Sequence, residues 1–287
     1  MIPARFRHVA PADLGGCVAA LAEGGRVLAG GTWVLPEMSR GESAPAQLVD
    51  LRRAGLAELT ATADGLQMGA MCTYADLLGS GPVAEHAPLL RTMAGGITGG
   101  WALRNQATVG GAAMAARPQS DVPAALVACA AVARVAGPRG ARDIPAAELF
   151  AGAMRPSLAP DEVLAGFRVP SAAGAGSGYV KLKRGGSSWP IATAAAVVRL
   201  DAVGLCTEAT LVLGGVAAVP VRIDVSALLG RVVVDDDVRA VTAAVADALP
   251  EPWGDVLAPA SYRAAVAAPV ARRALSAAVA DAEEERA

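Results

Sequence analysis

The sequence has 287 residues, 54% of them hydrophobic but only 3% aromatic, with 32 glycines, 19 prolines, four cysteines and two histidines. That length and apolar content suit about two cored domains and exclude a disordered chain. Lys and Arg number 25 against 27 Asp and Glu, a balance with no electrostatic footprint for nucleic acid or an anionic membrane surface.

Residues 13–23 place Leu14, Val18 and Leu21 at helical spacing behind Asp13 as a cap, and Gly24-Gly25 ends the run. A short strand over 26–29 breaks into Gly30-Gly31-Thr32. Strands are predicted over 47–51 and 66–70, and short helices over 74–78 and 88–96, which makes the opening third a mixed α/β unit. Glycine then punctuates the chain at Gly95-Gly96, Gly99-Gly100 and Gly110-Gly111. Asp121-Val122-Pro123 opens a helix through Leu126 and Cys129, and a strand over 163–169 is closed by Pro170. The Gly/Ala/Ser stretch 171–178 reads as a flexible connection, and the main domain boundary is placed there.

Beyond it, strands over 191–201 and 207–213 are predicted to form a hairpin through Val203-Gly204. Val238, Val241, Val245 and Leu249 mark a helix over 238–249, a long helix is predicted over 262–279, and Glu283 to Arg286 are expected to fray into solvent. Strands followed by helices suggest a small α+β domain, a sheet backed by helices.

No apolar run approaches the roughly 20 residues that a membrane span needs. Met1 leads into Arg5 and Arg7 without an apolar stretch, so no secretory signal is read and a cytoplasmic location is expected. Cys17, Cys72, Cys129 and Cys206 are widely spaced, with no C-x-x-C pair; buried structural thiols are expected, and no metal site. His8 and His86 supply a catalytic triad poorly. The chemistry is therefore assigned to a bound cofactor, with no catalytic side chain.

Two loops can hold such a cofactor. Val27-Leu28-Ala29-Gly30-Gly31-Thr32 leaves a strand where consecutive backbone N–H groups can form a concavity for phosphate oxygens, or can simply turn the chain. Thr108-Val109-Gly110-Gly111 repeats the pattern, and two such loops could clamp the two phosphates of one dinucleotide. Neither G-x-G-x-x-G nor a P-loop is present. Asp121 is either a helix cap or an acceptor for ribose or ribityl hydroxyls.

With these loops stand "VLAGGTWVLPEMSRGESAPAQLVDL", "LRNQATVGGAAMAARPQSDVPAAL", "PDEVLAGFRVP", "YVKLKR" with "ATAAAVV", and "DVLAPASYRAAVAAPVARRAL". In these segments the chain resembles, over nearly its whole length, the FAD-binding medium subunit of molybdenum hydroxylases, the carbon monoxide dehydrogenase and xanthine dehydrogenase family of flavoproteins. The resemblance implies an α+β fold: an FAD-binding PCMH-type domain over 1–172, with two α/β subdomains at about 1–55 and 56–172, then a C-terminal α+β domain over 178–282. It implies cofactor contacts from Val27, Leu28, Trp33 and the loop residues Ala29, Gly30, Gly31 and Thr32, with Thr108, Gly110 and Gly111 also around the pyrophosphate. Asp121 would then meet the sugar part of FAD, Leu164 would pack near the flavin, and Lys181 would lie close to the ring or the phosphates.

The chain departs from the family pattern at Trp33 and Ala112, where small polar residues are common, at Arg117 before Pro118, and over Ser187-Ser188-Trp189-Pro190. Trp33 is either a core residue or stacks near the flavin, and Arg117 can offer charge to the pyrophosphate. The function implied is electron transfer inside a complex. A large partner subunit would hold the molybdenum cofactor, a small one [2Fe-2S] clusters, and the whole would be a dimer of heterotrimers delivering electrons to an external acceptor. Two alternatives are a self-sufficient FAD-dependent oxidase or reductase, and a flavin-free scaffold subunit of the same complex.

Overall fold

A computed structural model of the chain describes Ile2 and residues 4–286. The first unit contains β1 (Arg7–Val9), α1 (Leu14–Ala22), β2 (Arg26–Leu28), α2 (Val34–Ser39) and β3 (Gln47–Asp50). Its three strands are parallel in the order β1-β3-β2, which the crossover helices require. Asp13 caps α1, its Oδ1 accepting from Gly16 N at 2.7 Å. Cys17 and Leu21 of α1 bury against Val49.

The second unit opens with β4 (Leu59–Thr62) and β5 (Gly65–Gly69). Six short helices follow: α3 (Tyr74–Gly79), α4 (Gly81–His86), α5 (Pro88–Gly95), α6 (Gly100–Gln106), α7 (Val109–Ala115) and α8 (Asp121–Ala128). It closes with β6 (Val132–Gly137), β7 (Gly140–Pro145), the short pair β8 (Phe150–Gly152) and β9 (Arg155–Pro156), and β10 (Val163–Pro170). The large sheet runs β4-β5-β10-β6-β7, antiparallel throughout. Leu66, Met93, Leu126 and Phe167 pack its core.

The third unit is the antiparallel sheet β11 (Gly176–Lys183), β12 (Pro190–Leu200), β13 (Cys206–Gly214) and β14 (Val221–Ile223), with α9 (Asp235–Ala243) and α10 (Ala260–Arg286). Successive side chains of a strand face opposite sides. In β12, Ala194 and Ala196 bury in the core shared with α10, whereas Ala195 joins Val212 in the core of the second unit. The sheet is therefore covered on both faces, and its second cover is the second unit.

Three expectations need correction. The stretch 171–178 is not a flexible connection. Ser171 N and Ala172 N donate to Asp64 O and His86 O, and β11 already begins at Gly176. Gly176 and Gly178 are there for contact: a Cβ would lie 2.1 Å from Ala282 N and 2.0 Å from Ala274 O of α10. The helix expected over 238–249 is Asp235–Ala243, shifted toward three aspartates whose charge suits a helix N-terminus. Glu283 to Arg286 are exposed as expected, but they continue α10 and do not fray out of it.

Candidate cofactor cleft

The first glycine loop leaves β2 at Leu28, whose side chain turns inward onto Met38 and Leu48 and does not line the cleft. Beyond it the chain runs against the second loop. A Cβ on Gly30 would lie 2.0 Å from Gln106 O, and Gly31 sits at φ +72°, a region that disfavours L side chains. Among the described residues, the N–H groups of Gly30, Gly31, Thr32 and Trp33 donate to no other backbone group. Unspent amides at a loop facing a cleft are a cradle for anionic oxygens.

The second loop behaves differently. Val109 N and Gly110 N donate to Cys72 O and Ala70 O, and Gly111 N donates to Thr108 Oγ1 at 3.0 Å as the cap of α7. Its amides are thus committed internally, and what it offers the cleft is the absence of side chains. The site Cβ of Gly110 is filled from behind, 2.5 Å from Ala70 O.

Together the loops bound a cleft of about 540 Å³, within the range of small-molecule and cofactor sites. Val27, Ala29, Gly30, Gly31, Thr32, Trp33, Thr108, Gly110, Gly111, Asp121 and Leu164 all line it, as do Ala112 and, unforeseen in the sequence, Tyr74, Ser120 and Glu162. Lys181 stands behind this lining: its Nζ donates to Asp121 Oδ2 at 2.9 Å and to Gly96 O at 3.1 Å. Its side chain is 8% exposed, so it is not a surface charge.

Asp121 does not cap its helix. Ser120 holds the cap position, and the Asp121 carboxylate also accepts from Tyr179 Oη at 2.5 Å. Burial pushes the Asp121 carboxyl up, while Lys181 and Tyr179 hold it down; burial and the Asp121 charge push the Tyr179 phenol well up. Tyr179 escaped sequence reading, although its alternation with Lys181 on one strand face was the available signal.

Along the cleft wall, Trp33 packs against two partners. Arg117 Cζ stands 3.8 Å from the centroid of its ring, and the Trp189 ring lies 5.1 Å away, tilted by 39°. Arg117 does not line the cleft; it donates to Glu37 Oε1 at 3.2 Å, and Glu37 Oε2 takes Arg26 at 2.7 Å. Trp33 is therefore neither a core residue nor free. Among the described residues no cluster of His, Cys, Asp or Glu could hold a metal, and no helix is long and apolar enough to cross a membrane.

Unspent amides, a side-chain-free wall and a buried carboxylate fit a cofactor with phosphates at one end and hydroxyls further in. Residues 4–172 match the family model for the FAD binding domain in molybdopterin dehydrogenase, and residues 177–278 match that for the CO dehydrogenase flavoprotein C-terminal domain. The chain is 35% identical to the carbon monoxide dehydrogenase medium chain of Hydrogenophaga pseudoflava, over 97% of this chain and 98% of that one. Among solved structures, carbon monoxide dehydrogenase from Hydrogenophaga pseudoflava contains a chain that superposes with TM-score 0.92 at 34% identity, covering 98% of this chain and 99% of that one. Quinoline 2-oxidoreductase from Pseudomonas putida 86 superposes with TM-score 0.90 at 26% identity, covering 98% and 99%.

Proposed function

Because the chain belongs to the family of FAD-binding medium subunits of molybdopterin dehydrogenases, we propose that it is the electron-transfer flavoprotein of a molybdenum hydroxylase complex. The observation that carries the reading is the cleft between the two glycine loops, with the Gly30 to Trp33 amides unspent and Asp121 at its inner wall. In this reading the amides of the first loop hold pyrophosphate oxygens. Gly110 and Gly111 let the cofactor approach the second loop closely. Asp121, with lone pairs left beyond those Tyr179 and Lys181 use, accepts from sugar hydroxyls. Leu164 supplies an apolar wall, and Glu162 beside it is fixed by Arg142.

Bound FAD supplies two-electron storage between one-electron carriers and an external acceptor. The side chains of this chain bind, orient and shield. The partners proposed are a large subunit with the molybdenum cofactor and a small subunit with [2Fe-2S] clusters, assembled as a dimer of heterotrimers in the cytoplasm.

The test is flavin content. The purified chain, heated to release its cofactor, should yield FAD close to one per chain, and Asp121→Ala and Gly111→Val should both lower that ratio. The Cβ added at Gly111 meets Thr108 Oγ1 at 2.8 Å and disturbs the cap of α7. Turnover of a small substrate by the isolated chain would overturn the subunit reading, and lack of FAD after reconstitution would favour a scaffold.

A further inference from the structure

Trp33, Arg117 and Trp189 come from three distant parts of the chain, and at each the sequence departs from the pattern it otherwise resembles. The structure brings all three into one stack. Trp33 belongs to the first glycine loop, Arg117 to the segment between α7 and α8, and Trp189 to the turn between β11 and β12.

An indole two residues after a Gly-Gly pair has little local structure to hold it. Here a guanidinium lies over the ring and a second indole packs against it, while Trp33 also lines the cleft. Arg117 is itself fixed. Ala116 before it takes a left-handed φ of 43°, a conformation that a non-glycine residue keeps only when its surroundings impose it. Glu37 orients the guanidinium in its plane, and Arg26, at the start of the strand leading to the loop, shares that carboxylate. A guanidinium can hydrogen-bond in its plane and stack with its face at once, which an ammonium cannot. Beyond the stack, the β11–β12 turn is held by bonds within itself, Lys183 Nζ to Gly186 O and Ser188 Oγ with Gly185.

We propose that Arg117 and Trp189 are positioning residues that clamp Trp33 as a fixed wall of the cofactor cleft, so that the clamp governs how fast FAD leaves. The inference rests on the FAD reading above. In this reading FAD leaves past Trp33, and the contacts with Arg117 and Trp189 resist the movement of the indole that its departure needs.

The experiment is release of FAD from the loaded full-length protein after dilution, followed by recovery of flavin fluorescence, with far-UV circular dichroism confirming the fold of each variant. Arg117→Lys and Trp189→Ala should release FAD roughly three- to tenfold faster than the parent, the scale of one aromatic contact. Trp189→Phe, which keeps a ring, should stay close to the parent rate. In a Trp33→Ala background, Arg117→Lys and Trp189→Ala should add nothing further, because the residue through which they act is gone. A parent-like rate in Arg117→Lys and Trp189→Ala, or additive effects in the Trp33→Ala background, would overturn the clamp while leaving the FAD reading intact. A parent protein that binds no FAD would overturn both.

Discussion

Lys181 Nζ lies 2.9 Å from Asp121 Oδ2, and the two side chains are 8% and 4% exposed. The pair joins the C-terminal sheet to the helix that lines the cleft, so it is a contact between two units at the cleft wall.

Removing one member of such a pair leaves a buried charge without compensation. Lys181→Met is therefore expected to lower unfolding stability by about 3–5 kcal/mol. Tyr179→Phe, which deletes one hydrogen bond to the same carboxylate, should cost about 1–3 kcal/mol. Adding Asp121→Asn to Lys181→Met should recover part of the loss, because the stranded charge is removed with it. Urea unfolding midpoints of the four proteins check this.

Gly30→Ala should be far more damaging than Gly79→Ala. The first adds a Cβ 2.0 Å from the backbone carbonyl of Gln106, at the end of the helix leading into the other loop, while the second meets nothing within 4 Å. An overpacked position of this kind costs about 1–3 kcal/mol, and here it forces apart the two loops that bound the cleft. FAD per chain and thermal midpoint should fall together in Gly30→Ala and stay unchanged or rise in Gly79→Ala.

Glu162 gives the cleft a pH signature. Arg142 holds its carboxylate through two bonds of 2.8 and 2.7 Å, with Ala159 N as a third donor, and its pKa is lowered to about 2. A depressed folded-state value means that the stabilisation is complete above the unfolded carboxyl value, about 4.3, and is lost as pH falls through the folded one. Glu162→Gln should therefore be less stable than the parent at pH 7, by about 1–3 kcal/mol. The gap should close between roughly pH 5 and pH 2, as stability measured across that range will report.

The cysteines should be silent. Cys17, Cys72 and Cys206 are buried and unpaired, and burial pushes the Cys72 thiol up to about 11. Thiolate is the reactive form, so these three should not react with a colorimetric thiol reagent at pH 7.5 until denaturant is added.

Features with a local cause could be read from the sequence. Asp13 caps α1 through its own side chain, and Gly30, Gly31, Gly110 and Gly111 stand where backbones converge. Alanine- and glycine-rich segments gave too little contrast: the hairpin of β6 and β7, VARVAG and GARDIP, passes without a clear hydrophobic period. Long-range partners left only faint traces, such as the alternation of Tyr179 with Lys181. Nothing adjacent to Asp121 announces Tyr179, and a charged residue such as Arg263 reads as surface. It is wholly buried, donating to Ile191 O, Gly215 O and Asp255.

The two glycines of β11 fix an order of events during synthesis. Strand β11 lies with Gly176 and Gly178 directly against the backbone of α10, a helix that is made well after it. Until then Asp121 has neither Tyr179 nor Lys181 beside it. The N-terminal glycine loops can be complete while their cleft is not, so a nascent chain finishes that cleft only once α10 has been made.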